Sequence, residues 1–217
     1  MDKQKNGWSQ FTRPRCLAAL AVIMVGISAG GYVVLSRFDF AGSSTRGPQI
    51  QDQPSRTWAQ PVELPGLPNL HKVSEDLYRG AQPTAEGMQQ LKNLGVKTII
   101  NLRSLHSDRD EIGETKLRYV HIRMTPLGAE DEDVIRFLRV IADANSTPAF
   151  VHCQRGADRT GLMCAIYRIV VQDWSKADAI EEMTNGGFGF YEGWENLIEY
   201  INDLNIAEIR REASLEV

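Results

Sequence analysis

One cysteine in this chain is followed, six residues later, by an arginine across a short loop that contains glycine. The segment reads His152-Cys153-Gln154-Arg155-Gly156-Ala157-Asp158-Arg159-Thr160. The apolar run before it indicates a buried strand, and the longer apolar run after it indicates a helix. At a strand-to-helix turn, successive backbone N–H groups and the helix N-terminus can bind an anion such as phosphate. The segment is therefore a predicted phosphate-binding loop with a cysteine at its base.

The residue types in this loop indicate nucleophilic chemistry on a phosphoryl group. Backbone N–H groups and the Arg159 cation favour the thiolate of Cys153, and such surroundings can bring a cysteine pKa from ~8.5 to about 3.5–7.5. The guanidinium of Arg159 can hold two phosphoryl oxygens at once. We assign Cys153 as the nucleophile and Arg159 as the stabilising cation. The residues predicted to bind the substrate phosphate are Gln154, Arg155, Gly156, Ala157, Asp158, Arg159 and Thr160.

The Cys-to-Arg spacing alone is a weak signal, because arginine is a common residue. The other two cysteines, Cys16 and Cys164, have valine at the equivalent distance. The prediction gains its strength from the conjunction of the preceding strand, His152, the loop glycine, the Arg-Thr-Gly end and the following helix. An inactive phosphate-binding loop is the alternative.

Four segments resemble the protein tyrosine phosphatase superfamily, whose signature is H-C-x5-R-[ST]. The loop matches that signature, and residues 77–83 and 96–103 resemble the opening of bacterial dual-specificity-type phosphatases. Residues 167–189 are similar to periplasmic bacterial tyrosine phosphatases, and the resemblance spans about residues 70–200. It implies the cysteine-phosphatase fold, a cysteine nucleophile, a phosphate-binding arginine, and neither a metal nor an organic cofactor.

The resemblance also implies a general acid, an aspartate from a separate loop that protonates the leaving oxygen. The corresponding segment, 125–133, holds four acidic residues and no W-P-D triplet. Asp133 is expected to begin the next helix, where a carboxylate suits the helix dipole. We therefore expect Asp131 to be the acid and Glu130 to be the next choice. Asp158 is a third choice that could instead brace local backbone N–H groups.

Other polar residues are expected to be structural. His152 is interpreted as a donor that orients the loop, whereas His106 and His121 stand apart from any metal-like partner. Asp108 lies in an earlier loop and ranks below the acids of segment 125–133. Three widely separated cysteines give neither a metal-binding spacing nor a disulfide framework. No metal site is predicted.

Alternating strand and helix patterns predict an α/β fold with a central, mostly parallel sheet flanked by helices. Strands are expected at 96–102 and 117–122, and helices are expected after the caps Thr84 and Ser175 and over 133–144. A net charge of −4 without a basic cluster argues against a nucleic-acid partner. The predicted phosphatase domain covers residues 70–205 and is followed by a polar, solvated helical tail at 206–217.

The N-terminus predicts a membrane anchor. Residues 16–36 carry no charge, and 21 residues of helix rise about 31 Å, which matches a hydrocarbon core of ~30 Å. Residues 1–15 form a basic segment expected in the cytoplasm, so the catalytic domain is expected in the periplasm, on a single-pass inner-membrane protein. A cleaved signal sequence is the alternative. Residues 37–69, rich in Pro, Gly and Ser, are expected to form a linker.

Together these features predict an enzyme that hydrolyses phosphomonoesters through a cysteinyl-phosphate intermediate. The expected substrate is a protein that carries phosphotyrosine, or also phosphoserine and phosphothreonine. Two alternatives remain at this stage: a phospholipid or phosphoinositide phosphatase, and a non-catalytic phosphate-binding module. The expected partners are thus a phosphorylated protein, small molecule or lipid, together with the membrane.

Overall fold

The computed structural model describes residues 56–125 and 127–215 of the 217-residue chain. The predicted basic segment 1–15, the predicted anchor 16–36 and most of the predicted linker 37–69 lie outside the described residues. Within the described part, no helix is both long and apolar enough to span a bilayer.

A six-stranded sheet forms the centre of the described structure. Its strands are β1 (Gln60–Pro61), β2 (His71–Lys72), β3 (Leu77–Gly80), β4 (Thr98–Arg103), β5 (Arg118–Met124) and β6 (Ala149–His152). The spatial order is β1-β2-β3-β6-β4-β5. The four strands from β3 to β5 run parallel, whereas β1 and β2 pair antiparallel at one edge. The sheet is therefore mixed. The predicted parallel arrangement holds for β3, β6, β4 and β5.

Seven α-helices of residues 56–125 and 127–215 flank this sheet. They are α1 (Ala85–Asn93), α2 (Arg109–Ile112), α3 (Asp131–Ala142), α4 (Asp158–Val170), α5 (Lys176–Asn185), α6 (Glu195–Asp203) and α7 (Ile206–Glu212). The Thr84 and Ser175 side chains accept hydrogen bonds from Gly87 N and Asp178 N, so both predicted N-caps are confirmed. A short 3-10 helix, Gly113–Thr115, follows α2.

Alternating side chains of the sheet feed two hydrophobic clusters. Ile99 and Phe150 pack with α1 and α2 on one face, whereas Ile100 and Val151 pack with the helices from α3 to α7 on the other. Successive strand residues point to opposite faces, so both faces of the parallel strands are apolar and both need a helical layer. This two-layer cover confirms the predicted α/β class.

Two predicted boundaries differ from the structure. Part of the predicted linker belongs to the domain, since Leu67 is buried and Ala59 N donates to the buried carboxylate of Glu182 at 2.6 Å. The predicted solvated tail forms α7, which buries Ile209 and leads into buried Ala213. Both segments are polar on average. A few apolar residues in each segment pack against the domain, and the average composition does not show them.

Candidate active site

The Cys153 loop lies at the carboxyl edge of the four parallel strands. His152 ends β6, and its register partners are Gly80 of β3 and Asn101 of β4. Helix α4 begins at Asp158, so the residues from 153 to 157 form the turn between strand and helix. Ligands of open α/β sheets bind at this edge, where loops and helix N-termini converge. The predicted strand-loop-helix arrangement around Cys153 is confirmed.

Gly156 permits the tight curve of this loop. Its φ is +71°, and a Cβ atom there would lie 2.4 Å from the Gly80 carbonyl. Any side chain would therefore clash with the backbone of β3 as well as strain the loop. The next chain segment also binds the loop, because Gln82 N donates to Gln154 O at 3.3 Å.

Arg79 binds the backbone of the loop. This β3 residue is 1% exposed, donates from Nη2 to Gly156 O at 2.7 Å, and lies 3.7 Å from the centre of the Phe188 ring. The Asn69 amide ties the same two regions together by donating to Arg155 O and Phe188 O at 3.0 and 2.9 Å. Sequence reasoning did not assign these roles. The available signal was an arginine inside a strand that is otherwise buried.

The surroundings of Cys153 favour the thiolate. Burial of the side chain, which is 2% exposed, raises its pKa. Hydrogen bonds from the Thr160 hydroxyl and backbone N–H, followed by the charge of Arg159, act in the opposite direction. The net result is a pKa below the ordinary value for cysteine. The Thr160 hydroxyl is buried and has no hydrogen-bond partner of ordinary geometry among the described residues, so no other group competes with the sulfur for it.

The pKa of Cys164 is shifted in the opposite direction. It is a free, buried thiol of α4, and burial raises its pKa to about 11. Burial outweighs the nearby charges of Arg79 and Arg168 and keeps this thiol protonated at neutral pH. The prediction that Cys164 is a core residue is therefore confirmed.

Arg159 faces the carboxyl ends of two strands. Its Nη1 donates to the carbonyls of Leu102 and Met124, both at 3.2 Å. Arg159 and Gln154 line a pocket of about 300 Å³, together with Arg103, Ser104, Leu105 and His106. This pocket sits where a phosphoryl group would meet the loop, and no carboxylate is among these six residues.

His152 and Asp108 form a buried pair behind the loop. Both side chains are fully buried, and His152 Nε2 lies 2.7 Å from Asp108 Oδ2. The other carboxylate oxygen accepts from the amides of Gln82 and Asn101 at 2.9 and 3.0 Å. Burial raises the pKa of Asp108, but the hydrogen bond and charge of His152 and the Gln82 amide lower it below its ordinary value overall. The structural role predicted for His152 is consistent with this network, whereas sequence reasoning missed that of Asp108.

Two of the three proposed acids, Asp131 and Glu130, lie at the start of α3. Asp131 begins α3 and accepts a 2.6 Å hydrogen bond from the Tyr200 hydroxyl, so it lies on a helix and not on the preceding loop. Glu130 is the N-cap of that helix, and Asp133 follows within its first turn. The expectation that α3 begins at Asp133 was wrong by two residues, because several consecutive carboxylates suit the same helix terminus.

Asp158 braces the loop. Its Oδ2 pairs with Arg155 Nη2 at 2.9 Å, and its Oδ1 accepts from Tyr191 N at 2.9 Å. Both oxygens of this carboxylate are therefore engaged in holding neighbouring chain segments. This arrangement favours the bracing role over the acid role among the alternatives left open by the sequence.

One cluster has metal-ligand residue types. His106, Asp108 and Glu111 bring their ligand atoms within 4.8 Å of one another, which the sequence prediction of an isolated His106 did not foresee. His106 Nε2 already lies 3.2 Å from Glu111 Oε1, and both oxygens of Asp108 accept hydrogen bonds from the network at His152. These contacts engage both oxygens of Asp108 and one oxygen of Glu111, whereas Glu111 Oε2 is buried without a hydrogen-bond partner.

Comparison with known proteins agrees with this geometry. A family model described as "DSP-PTPase phosphatase fused to NAD+ Kinase" matches residues 66–193. The dual specificity protein phosphatase TpbA of Pseudomonas aeruginosa is 36% identical over 157 residues, which are 72% of this chain and 71% of that protein. The inositol diphosphatase DSP5 of Arabidopsis thaliana is 30% identical over 125 residues, 53% of this chain and 60% of that protein.

Among solved structures, a crystal structure of P. aeruginosa TpbA in complex with pTyr superposes with a TM-score of 0.66. The two chains are 33% identical, and the match covers 76% of this chain and 100% of the other. The fold and these matches define the chain as an α/β phosphatase, with Cys153 in the loop between β6 and α4. More specifically, the chain belongs to the dual-specificity protein tyrosine phosphatase (DSP-PTPase) family.

Proposed function

We propose that this phosphatase hydrolyses phosphotyrosine in proteins through a cysteinyl-phosphate intermediate. The observation that carries the proposal is the placement of Cys153 within a loop whose Thr160 and Arg159 lower its pKa. A thiolate at neutral pH is a ready nucleophile. The relative TpbA, of which 71% is covered, has a structure with pTyr, which favours this substrate over other phosphomonoesters. Phosphoserine and phosphothreonine remain in the proposal as secondary substrates.

In the first proposed step, Cys153 Sγ attacks phosphorus, the bond to the tyrosine oxygen breaks, and a thiophosphate ester forms. Arg159 and the loop N–H groups stabilise the equatorial oxygens as charge develops on them. The leaving oxygen takes a proton from a general acid. In the second step, water attacks the same phosphorus, which releases inorganic phosphate and restores the thiolate.

Asp131 is our proposed general acid. It lies at the start of α3, in the segment that follows β5, and Met124 at the end of β5 contacts Arg159. Its hydrogen bond to Tyr200 must open for it to reach a leaving group. Asp133 has a pKa raised by burial and by its neighbours Glu130 and Glu132, which suits a proton donor and makes it the competing residue.

A second proposal concerns inositol phosphates and lipids. The relative DSP5 is named an inositol diphosphatase, and the loop offers the extra cation Arg155. Asp158 neutralises this cation through the 2.9 Å pair. Highly phosphorylated headgroups reward several uncompensated cations close to the reacting phosphate, so we rank this substrate class second.

For location, we propose a single-pass anchor at 16–36 with the catalytic domain in the periplasm. The support is the basic segment before residue 16 and the uncharged run after it. A fusion of alkaline phosphatase behind residue 70 should be active only when exported. Activity of a cytoplasmic reporter at that position, with an inactive alkaline phosphatase fusion, would contradict this topology.

The catalytic proposal is tested with the full chain in detergent micelles. Phosphotyrosine peptides, phosphoserine peptides, an inositol polyphosphate and phosphoinositide vesicles are assayed side by side for phosphate release. We expect the highest kcat/KM for phosphotyrosine peptides, no turnover by Cys153→Ser, and retained peptide binding by that variant. A higher kcat/KM for an inositol or lipid substrate would move the assignment to the second class. Turnover by Cys153→Ser would overturn the mechanism.

A further inference from the structure

A second pocket adjoins the pocket at Arg159 and is lined by basic side chains. Its volume is about 700 Å³, and it shares Ser104, Leu105 and His106 with the catalytic pocket. The cationic or potentially cationic groups that line it are Arg109, Arg123, Arg136, His106 and His121. No aspartate or glutamate is among its lining residues in the described part of the chain.

These cations come from separate elements of the fold. His121 and Arg123 are alternate residues of β5 and so share one face of that strand. Arg109 begins α2 and Arg136 lies in α3. Tertiary packing therefore brings these basic residues together. No local run of basic residues in the sequence predicts the cluster.

Carboxylates compensate this cluster only in part: the charge of Arg136 acts on Asp133, one turn away in α3, and Glu111 lies 3.2 Å from His106. Neither Arg123 nor Arg136 forms an ion pair with a described residue, and Arg109 makes a contact of 5.5 Å with the Tyr119 ring. Like charges gathered with only partial compensation repel one another and lower stability. A folded protein keeps such a local conflict chiefly where a ligand compensates it.

The common rim of the two pockets carries an apolar residue. Leu105 is 99% exposed and lines both pockets. A peptide offers this rim an aromatic ring or an aliphatic side chain, whereas a polyphosphorylated small molecule offers it only charged or hydroxyl groups. The pocket is also larger than one phosphate requires and falls in the volume range of extended ligand sites, about 300–1,000 Å³.

We propose that this basic pocket binds an acidic side chain, Asp or Glu, that lies close to phosphotyrosine in the substrate protein. The inference rests on the proposed tyrosine phosphatase function and adds a sequence preference to it. Arg159 holds the reacting phosphate, Leu105 contacts the peptide between the two charges, and Arg123 and Arg136 bind the carboxylate. Because exposed charge pairs each contribute modestly, the preference for acidic over neutral peptides is expected to be about fivefold to tenfold in kcat/KM.

The test compares two phosphotyrosine peptides that differ only in glutamate or glutamine at positions flanking the phosphotyrosine. The full chain, the variant R123Q/R136Q and the control K92Q/R211Q are assayed for kcat/KM on both peptides. Lys92 and Arg211 are exposed and lie outside the pocket, so the control removes the same charge. The ratio between peptides does not depend on the fraction of active enzyme.

We expect the acidic preference in the full chain and in the control, its fall to about one in R123Q/R136Q, and its weakening at high salt. A ratio near one in the full chain, or an unchanged ratio in R123Q/R136Q, would overturn the proposal. The proposal would also be overturned if R123Q/R136Q lost turnover of an inositol polyphosphate but kept the preference for the acidic peptide. The same comparison is made for binding, as the ratio of the Kd values of the two peptides for Cys153→Ser. This ratio tests the pocket even if the protein proves to have no tyrosine phosphatase activity, so the two proposals can fail separately.

Discussion

The fully buried carboxylate of Asp108 lies 2.7 Å from Nε2 of His152, the residue that precedes the cysteine. The Nδ1 atom of the same ring lies 3.2 Å from the Cys153 carbonyl. The pair therefore connects the loop before α2 to the backbone of the nucleophile. Its position gives Asp108 a positioning role without contact with the substrate.

Replacement of Asp108 by asparagine should lower both stability and kcat. The variant keeps the shape of the side chain but loses the charge that pairs with His152, and a broken buried hydrogen bond to a charged group costs about 1–3 kcal/mol. Urea unfolding and kcat on p-nitrophenyl phosphate measure the two effects. Asp110→Asn, at an exposed position of α2, is the matched control and should behave as the wild type. Equal behaviour of the two variants would refute the positioning role.

The same pair predicts an acid limit to stability. The folded-state pKa of Asp108 is lowered overall, because the His152 contact and other hydrogen bonds outweigh the effect of burial. Its stabilising contribution is therefore complete above its ordinary pKa of about 3.9 and is lost as pH falls through the lower folded value. Unfolding free energies measured from neutral to acidic pH should fall less steeply in Asp108→Asn than in the wild type. Parallel curves would contradict this linkage.

The reactivity of Cys153 should follow its pKa. Since this pKa is lowered, alkylation by iodoacetamide should persist to a lower pH at Cys153 than at an ordinary cysteine. Thr160→Ala removes the hydroxyl that helps to lower the pKa, so its alkylation profile should move to higher pH. Thr184→Ala in α5 is the control. Cys164, whose pKa is raised to about 11, should stay unmodified in the folded protein. An unshifted profile in Thr160→Ala would exclude the hydroxyl as a stabiliser.

Gly156→Ala should abolish activity, whereas Gly187→Ala should not. Both glycines have a positive φ, +71° and +79°, so both variants carry backbone strain of about 1–3 kcal/mol. Only at Gly156 would the new Cβ meet backbone, at 2.4 Å from Gly80, while nothing lies within 4 Å at Gly187. Circular dichroism and kcat on p-nitrophenyl phosphate separate strain from displacement of the loop. Comparable kcat losses in the two variants would show that strain alone accounts for the effect.

The general acid should reveal itself through the leaving group. Asp131→Asn should slow hydrolysis of phosphotyrosine, whose phenol has a pKa of about 10, more than that of p-nitrophenyl phosphate, whose leaving group needs less protonation. The measurement is the ratio of kcat/KM for the two substrates. Asp133→Asn and Glu130→Gln are assayed in parallel. If the ratio changes in one of those variants and not in Asp131→Asn, the acid role passes to that residue.

Local sequence was sufficient for the catalytic loop and for much of the helical layer. The strand, the glycine turn and the helix around Cys153 are neighbours along the chain, so periodicity and turn chemistry predicted them. The caps Thr84 and Ser175 act on N–H groups three residues away, which is within reach of a sequence pattern. The start of α3 was displaced to Asp131 because four nearby carboxylates satisfy the same local rule.

Tertiary structure decided the contacts between residues far apart in the chain. Asp108 meets His152 across 44 residues, Arg79 meets Gly156 across 77, and Asp131 meets Tyr200 across 69. None of these pairs has a periodic or local signature, because which buried polar groups satisfy one another depends on how helices pack across the sheet. The sequence alone thus predicted the α/β class, which the structure confirms, and it assigned the roles of nucleophile and phosphate-binding cation to Cys153 and Arg159, which stay predictions. Only the packed structure determined which residues orient the loop and how cations from β5, α2 and α3 gather beside it.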